Sequence, residues 1–351
     1  MATTIAKLAY KTLQQGKSIA GLAHKEISSK LMESFFPEAI PKSEPISKEL
    51  FMKLRASIEE LERLDWSDAE KGLYPKSQLF EAPWLNWARK YPLVWLDMPS
   101  TWQRRVGKKT RDIPKKVNKG KYPDYYLQNF HHQTDGYLSD YSASLYDLQV
   151  EILFNGTADS MRRRIISPLK EGLGKYKDRK PESIRILDLA TGTGRSLTQI
   201  KSAFPKADLF GVDLSSSYLR QAATYLNTRN NDLVQLIRSN AEDMPLADSS
   251  MQAITCVFLF HELPPKARQN VLNECYRVLE TGGCLVIADS IQINDSPEFL
   301  PIMDGFHQSF HEPYYKDYIN DDIEKRLIES GFSFISAQSY FMTRVWSAVK
   351  D

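Results

Sequence analysis

Residues Ile186 to Gly194 read ILDLATGTG: an apolar run with one acid inside it, then a turn of small residues that opens a helical segment. A parallel strand feeding a glycine turn is where open α/β sheets bind nucleotides, outside the carboxyl ends of their strands. Leu209 to Asp213 (LFGVD) reads as a second strand ending in a carboxylate, nineteen residues beyond Gly194. That is about the distance at which such sheets set an acid against ribose hydroxyls. A third glycine, which lets helix and strand pack closely around a pyrophosphate, is absent, because the G-x-G-x-x-G slot after Gly192 and Gly194 holds Leu197. The turn therefore argues against a dinucleotide, and with it against a dehydrogenase.

Read as D-x-G-x-G-x-G with Ala190 in the first glycine position, the turn resembles that of class I S-adenosylmethionine-dependent methyltransferases. Three further segments fall in the order that family shows: SNAEDMP (239–245) after the third strand, the apolar stretch 254–260, and YRVLETGGCLVIADS (276–290) as helix, glycine turn and fifth strand. Within the family, LYDLQVEILFNGTADSMRRRII (145–166) resembles the approach helices of the C-methyltransferases of ubiquinone and menaquinone biosynthesis. The resemblance covers roughly 140–350. It implies an α/β, Rossmann-like sheet of seven strands in the order 3-2-1-4-5-7-6, with strands near 184–189, 208–213, 233–238, 252–258, 283–289, 332–338 and 341–348. It also implies the cofactor S-adenosyl-L-methionine. By that likeness Asp188 and Ala190 lie against its amino-acid part; Thr191, Gly192, Thr193 and Gly194 line its path; Asp213 and Leu214 meet the ribose; Asn240, Ala241 and Glu242 surround the adenine; and Val257 completes the wall. Two departures stand out: Ala190 in place of glycine, and Met251-Gln252 where Phe-Asp is usual.

The chain divides into a helical N-terminal domain with a basic linker (1–121) and a methyltransferase domain (122–351), the latter comprising cap and approach helices (122–180) and the sheet core (181–351). Proline clusters at Pro37 to Pro45 and around Pro83 and Pro92 read as helix breaks. Five of the six tryptophans lie between Trp66 and Trp102, which is no composition for a disordered tail, and their expected place is the domain's own core. Residues 104–121 hold nine Lys or Arg against Asp112, giving this stretch +8 in a chain of net +2. A solvated linker is the plain reading, and attraction to an anionic membrane surface or an acidic partner is the sharper one. No recognition helix or RNA-binding motif accompanies the charge, which argues against nucleic acid. In the first 25 residues Ile5, Leu8, Ala9, Leu13 and Leu22 lie near one helical face among four lysines. That face either packs on its own domain, touches a membrane surface, or serves as an organelle address.

Cys256, Cys275 and Cys284 lack C-x-x-C spacing, so neither a disulfide framework nor a zinc site is expected, and no metal. Cys256 and Cys284 fall on apolar strands and read as core. No apolar run approaches the roughly 18 residues of a membrane span. A reducing cytoplasm fits, with peripheral membrane contact left open; oligomeric state is not legible.

Methyl transfer is an in-line displacement at an activated sulfonium, so alignment and a dry cavity are the main requirements. His261 and Glu262, in FHELPP at the mouth of the fourth strand, are the catalytic candidates. Asp289 closes the fifth strand and is a further one. His131, His132 and Tyr137, in a tyrosine-rich segment ahead of the core, are cap candidates, with Asp135 beside them; His311 and Tyr315 are acceptor-side candidates. Amino-group methyltransferases carry an Asp/Asn-Pro-Pro-aromatic stretch where this chain has Phe260-His261-Glu262-Leu263, which argues against a nucleobase acceptor. A small lipophilic, phenolic or quinone-like acceptor follows from the resemblance. A hydrophilic metabolite, a protein side chain, or a scaffold that binds the cofactor without turnover are the alternatives.

Overall fold

Ile186 to Leu189 are buried along β1 (Arg185–Leu189), an interior strand of the sheet in the computed structural model, which describes residues 2–41, 46–228 and 234–351. β1 pairs in parallel with β2 (Asp208–Asp213) and β4 (Met251–Val257); β3 (Gln235–Arg238) lies outside β2, and β5 (Leu279–Ser290) outside β4. The hairpin of β6 (Phe332–Tyr340) and β7 (Thr343–Lys350) closes the far edge antiparallel, so the order is 3-2-1-4-5-7-6, as the resemblance implied. Interior parallel strands are covered on both faces and so read as unbroken apolar runs. All seven residues of β4 are buried accordingly.

The helices are α1 (Ala2–Phe35), α2 (Lys48–Glu70) and α3 (Trp84–Val106); α4 (Asp140–Leu153), α5 (Ala158–Arg162) and α6 (Ile166–Leu173); α7 (Arg195–Ala203), α8 (Ser216–Asn227) and α9 (Pro265–Val278); and α10 (Leu300–Ser309), α11 (Tyr315–Tyr318) and α12 (Ile323–Glu329). One face of the sheet, through Ile186 and Val286, packs on Leu169 of α6 and on Leu197 and Ile200 of α7. The other, through Leu187 and Ile254, packs on Val271 and Leu272 of α9 and Leu327 of α12. Cys256, Cys275 and Cys284 are all buried and free.

The N-terminal helices join these layers. Tyr10, Trp66, Tyr74 and Leu79 belong to the apolar cluster that holds Leu169 and Ile186, and Leu50 belongs to the opposite one. Beneath them lies a buried polar knot that charge counting did not foresee. Asp65 accepts from Arg163 at Nε (2.7 Å) and Nη2 (2.5 Å), from Arg164 (3.1 Å), and from Tyr10 (2.8 Å), Tyr74 (2.7 Å) and Ser160 (3.0 Å). Burial alone would raise its pKa, but the two guanidiniums hold it well below the usual carboxylate range.

Several expectations need correction. α1 does pack, but through Tyr10, Gln14 and His24, while Ile5, Leu8 and Leu22 on the stripe read from sequence are left exposed, because the partner surface is polar as well as apolar. Pro92 does not end α3, and neither does Pro99; both sit on its exposed side, where a freed carbonyl can bond to water. Pro45 lies outside the described residues. β5 begins at Leu279, four residues earlier than expected, since its pairing with β4 jumps from Met251–Leu279 to Ala253–Cys284 and the glycine turn is absorbed as a bulge with Gly282 at φ 81°. β3 starts at Gln235; residue 233, where it was expected to begin, is outside the described residues. In the basic stretch Arg104 is buried and bonds His132 O and Thr134 Oγ1, and Arg105 bonds Ala39 O, so two of the nine charges are structural. No helix among the described residues is long and apolar enough to cross a membrane.

Candidate active site

The turn after β1 is shaped by three left-handed residues in five: Ala190 (φ 53°), Gly192 (54°) and Gly194 (82°). Such backbone favours glycine, which is why Ala190 departs from the motif at some cost in strain. A Cβ on Gly194 would press on Ala222 at 3.2 Å, whereas one on Gly192 would meet nothing closer than Ala190 O at 4.0 Å. Gly194 is thus needed for packing on α8, and Gly192 faces open space.

That space is a cavity at the carboxyl ends of β1, β2 and β4. Its wall includes Ala190, Thr191, Gly192 and Thr193 from the turn, Asp213 and Leu214 after β2, Asn240 and Ala241 after β3, and Val257 and Glu262 after β4. Tyr137 and its neighbours Tyr125 and Tyr126 cover it from the tyrosine-rich segment. Asp213 accepts from Gly192 N and Ser215 N, each at 2.8 Å, so it clamps the turn while keeping lone pairs for a ligand. Burial pushes its pKa up to about 6, against the pull of the backbone donors Ser215, Gly192 and Leu214. Thr193 Oγ1 donates to Asp147 of α4 at 2.6 Å, tying the approach helices to the turn.

Other expected residues stand behind this wall. Asp188 is buried beneath the turn, accepting from Thr191 Oγ1 (2.7 Å) and Thr255 Oγ1 (2.8 Å), and burial raises its pKa to about 6. It braces the turn instead of lining the cavity. Glu242 accepts from Tyr125 Oη (2.5 Å) and Asn270 Nδ2 (2.7 Å), holding the lid and α9 to the loop that bears Asn240. His261 also lies outside the wall: its Nδ1 is 2.6 Å from Asp289 Oδ1, and although burial lowers its pKa, Asp289 raises it to about 9. Of the pair it is Glu262 that faces the cavity, taking a hydrogen bond from Tyr137, with its pKa pushed up to about 7 by burial and by Glu312. The His132 and His311 rings lie tilted beside each other away from the cavity, His311 bonding Gln128 at 2.8 Å; Tyr315 shares a hydrogen bond with Ser290.

Sequence reasoning named only Tyr137 of the five tyrosines in the wall and neither of its arginines. Tyr146, Tyr218, Arg162 and Arg195 all line it. Tyr126, Tyr137, Tyr146 and Tyr218 pack into one aromatic cluster. The approach segment 145–166 held the signal for Tyr146 and Arg162; nothing local marked Tyr218.

Residues 186–283 match the family described as "Methyltransferase domain". The chain is 34% identical over 157 residues to the demethylmenaquinone methyltransferase of Thermotoga maritima, covering 45% of this chain and 62% of that one. It is 33% identical over 126 residues to a ubiquinone/menaquinone biosynthesis C-methyltransferase of Syntrophotalea carbinolica, covering 36% and 50%. It thus spans about half to three-fifths of the length of these relatives. Among solved structures, geranyl diphosphate C-methyltransferase from Streptomyces coelicolor aligns over 61% of this chain and 85% of its own with 14% identity and a TM-score of 0.43. Sheet order, glycine turn, the acid after β2 and the family match agree that this chain carries a methyltransferase domain of the class I, Rossmann-like kind.

Proposed function

We propose that the protein is an S-adenosylmethionine-dependent methyltransferase acting on a small, lipophilic, phenolic or quinone-like acceptor. The observation that carries the first half is the open space over Gly192, walled by a carboxylate with spare lone pairs and by a ring of tyrosines. A ligand with ribose hydroxyls suits Asp213, and a sulfonium suits the electron-rich faces of Tyr126, Tyr137, Tyr146 and Tyr218. The donor supplies a methyl already activated on sulfur: the acceptor's electron pair forms the new bond, and the sulfur–carbon pair stays on sulfur. The chain's part is alignment. The backbone at Gly192 and Thr193 lets the donor lie close, the lid tyrosines exclude water, and Glu262 presents a carboxylate to an acceptor hydroxyl.

The acceptor's character is supported by the aromatic wall and by the quinone C-methyltransferases among the relatives. Incubating the chain with methyl-labelled donor and a membrane-lipid extract should place label in the organic phase. Label in protein or water-soluble products would replace the acceptor reading. Saturable binding of S-adenosylhomocysteine without label in any fraction would leave a binding scaffold.

A further inference from the structure

We propose that His131, His261, Glu262 and Glu312 form a binding site for one divalent transition-metal ion at the acceptor end of the cavity. One ligand-capable atom from each of the four lies within 4.8 Å of every other. They come from three places far apart in sequence: the lid, the mouth of β4 for two of them, and the loop between α10 and α11. No local spacing announces them.

The cluster is built, and its own members satisfy it only in part. The Glu312 side chain is fully buried; its Oε1 pairs with His131 Nε2 at 2.7 Å, and its Oε2 has no hydrogen bond. His261 Nε2 and Glu262 Oε1 are 3.9 Å apart, too far to bond each other. A four-coordinate ion with ligands at about 2.0–2.2 Å holds its donor atoms roughly 3.4 Å apart. The first pair would open by about 0.7 Å and the second close by about half an ångström around such an ion.

Supporting contacts point the same way. Asp289 takes up Nδ1 of His261, leaving Nε2 toward the cluster, as carboxylates orient metal-bound imidazoles. Tyr137 bonds one oxygen of Glu262 and so fixes that carboxylate. His131 and His132 have left-handed backbones (φ 56° and 57°), and His131 N donates to His311 O, which straps the lid to the residue before Glu312. Strained backbone of this kind persists where the surroundings enforce it. Two imidazoles with two carboxylates suit zinc, manganese, iron(II) or cobalt better than magnesium or calcium, and two carboxylates balance a 2+ charge. Because Glu262 belongs both to the cluster and to the cavity wall, the ion would fix the carboxylate that meets the acceptor; that last point rests on the function proposed above.

The test uses the whole chain, freed of metal by chelation and dialysis, titrated with Zn²⁺ and with Mn²⁺ by calorimetry, and separately with S-adenosylhomocysteine. The expected result is one ion per chain, with metal affinity at least tenfold weaker in both Glu312→Gln and His131→Gln and about 10–100-fold weaker in Asp289→Asn. S-Adenosylhomocysteine affinity should stay within about twofold in the folded variants. A chain that binds S-adenosylhomocysteine but takes up neither ion saturably overturns the metal site, as does wild-type metal affinity in both Glu312→Gln and His131→Gln. Uptake of metal without S-adenosylhomocysteine binding would instead overturn the function proposed above and leave the metal site standing.

Discussion

The two ends of the cavity, one proposed for the donor and the other for the acceptor, are made differently. At the donor end, Ala190 to Gly194 are contiguous, and Asp213 reaches the turn through the parallel pairing of β1 and β2, so its place follows from strand register. At the acceptor end, Glu262, His261, His131 and Glu312 meet only because a lid and the chain after α10 fold over the mouth of β4. One end is written in local sequence; the other is assembled by packing. Their difference suggests how one sheet can keep its donor and change its acceptor, since loops tolerate replacement far better than the turn beneath them.

Both ends share a frame, and the largest effect should come from breaking it. Asp65→Ala strands Arg163 and Arg164 without their buried partner and should cost about 3–5 kcal/mol in stability. Thermal and denaturant unfolding would read the loss, and binding at donor and acceptor ends should fail together on heating; loss at one end alone would show that the N-terminal helices support only that end.

Asp213→Ala should separate the two ends. It removes a charged acceptor, worth about 1.5–3 kcal/mol, so affinity for S-adenosylhomocysteine should fall by roughly tenfold to a hundredfold. Metal uptake by His131 and its partners should be unchanged; a parallel loss of both would contradict their independence.

Acid sharpens the comparison at smaller cost. Asp213 has a folded pKa of about 6, above its usual 3.8. Its contribution to folding is therefore fully present below 3.8 and lost as pH rises through about 6, because burying the ionised form is what costs. Donor binding has the opposite sign on the proposed function, in which ribose hydroxyls bond the ionised carboxylate. Calorimetry should show affinity falling by up to about tenfold per pH unit below 6, and a flat profile from pH 7 to 5 would remove Asp213 from the ribose contact.

The smallest effect tests the turn itself. Ala190→Gly relieves a left-handed alanine but frees the unfolded chain, for a net gain of about 0.5–1 kcal/mol. Differential scanning calorimetry should show a slightly higher Tm with donor affinity unchanged; a lower Tm would mean that the alanine methyl packs.

Much of the cavity wall was legible in the sequence. Gly192, Thr193, Asp213, Leu214, Asn240, Ala241 and Val257 do reach one cavity, because each sits at or just beyond the end of a strand in the order the resemblance implies. Asp188 and Glu242 were foreseen as ligand contacts, and the structure sets both one layer back: a carboxylate on a strand looks the same in sequence whether it meets a ligand or a threonine. His261 read as the group facing the acceptor, but Asp289 draws the ring away and leaves Glu262 in the wall.

The sequence by itself determined the strands and the turn, since apolar runs, glycines and a strand-end acid act through neighbours a few residues away; the strand order followed from the resemblance those motifs carry. Only the tertiary structure decided which face of α1 turns inward, that Asp65 meets two arginines about a hundred positions on, and that two histidines and two glutamates converge. Those contacts join side chains whose separation along the chain carries no period, so their energies appear only once the backbone has brought them together.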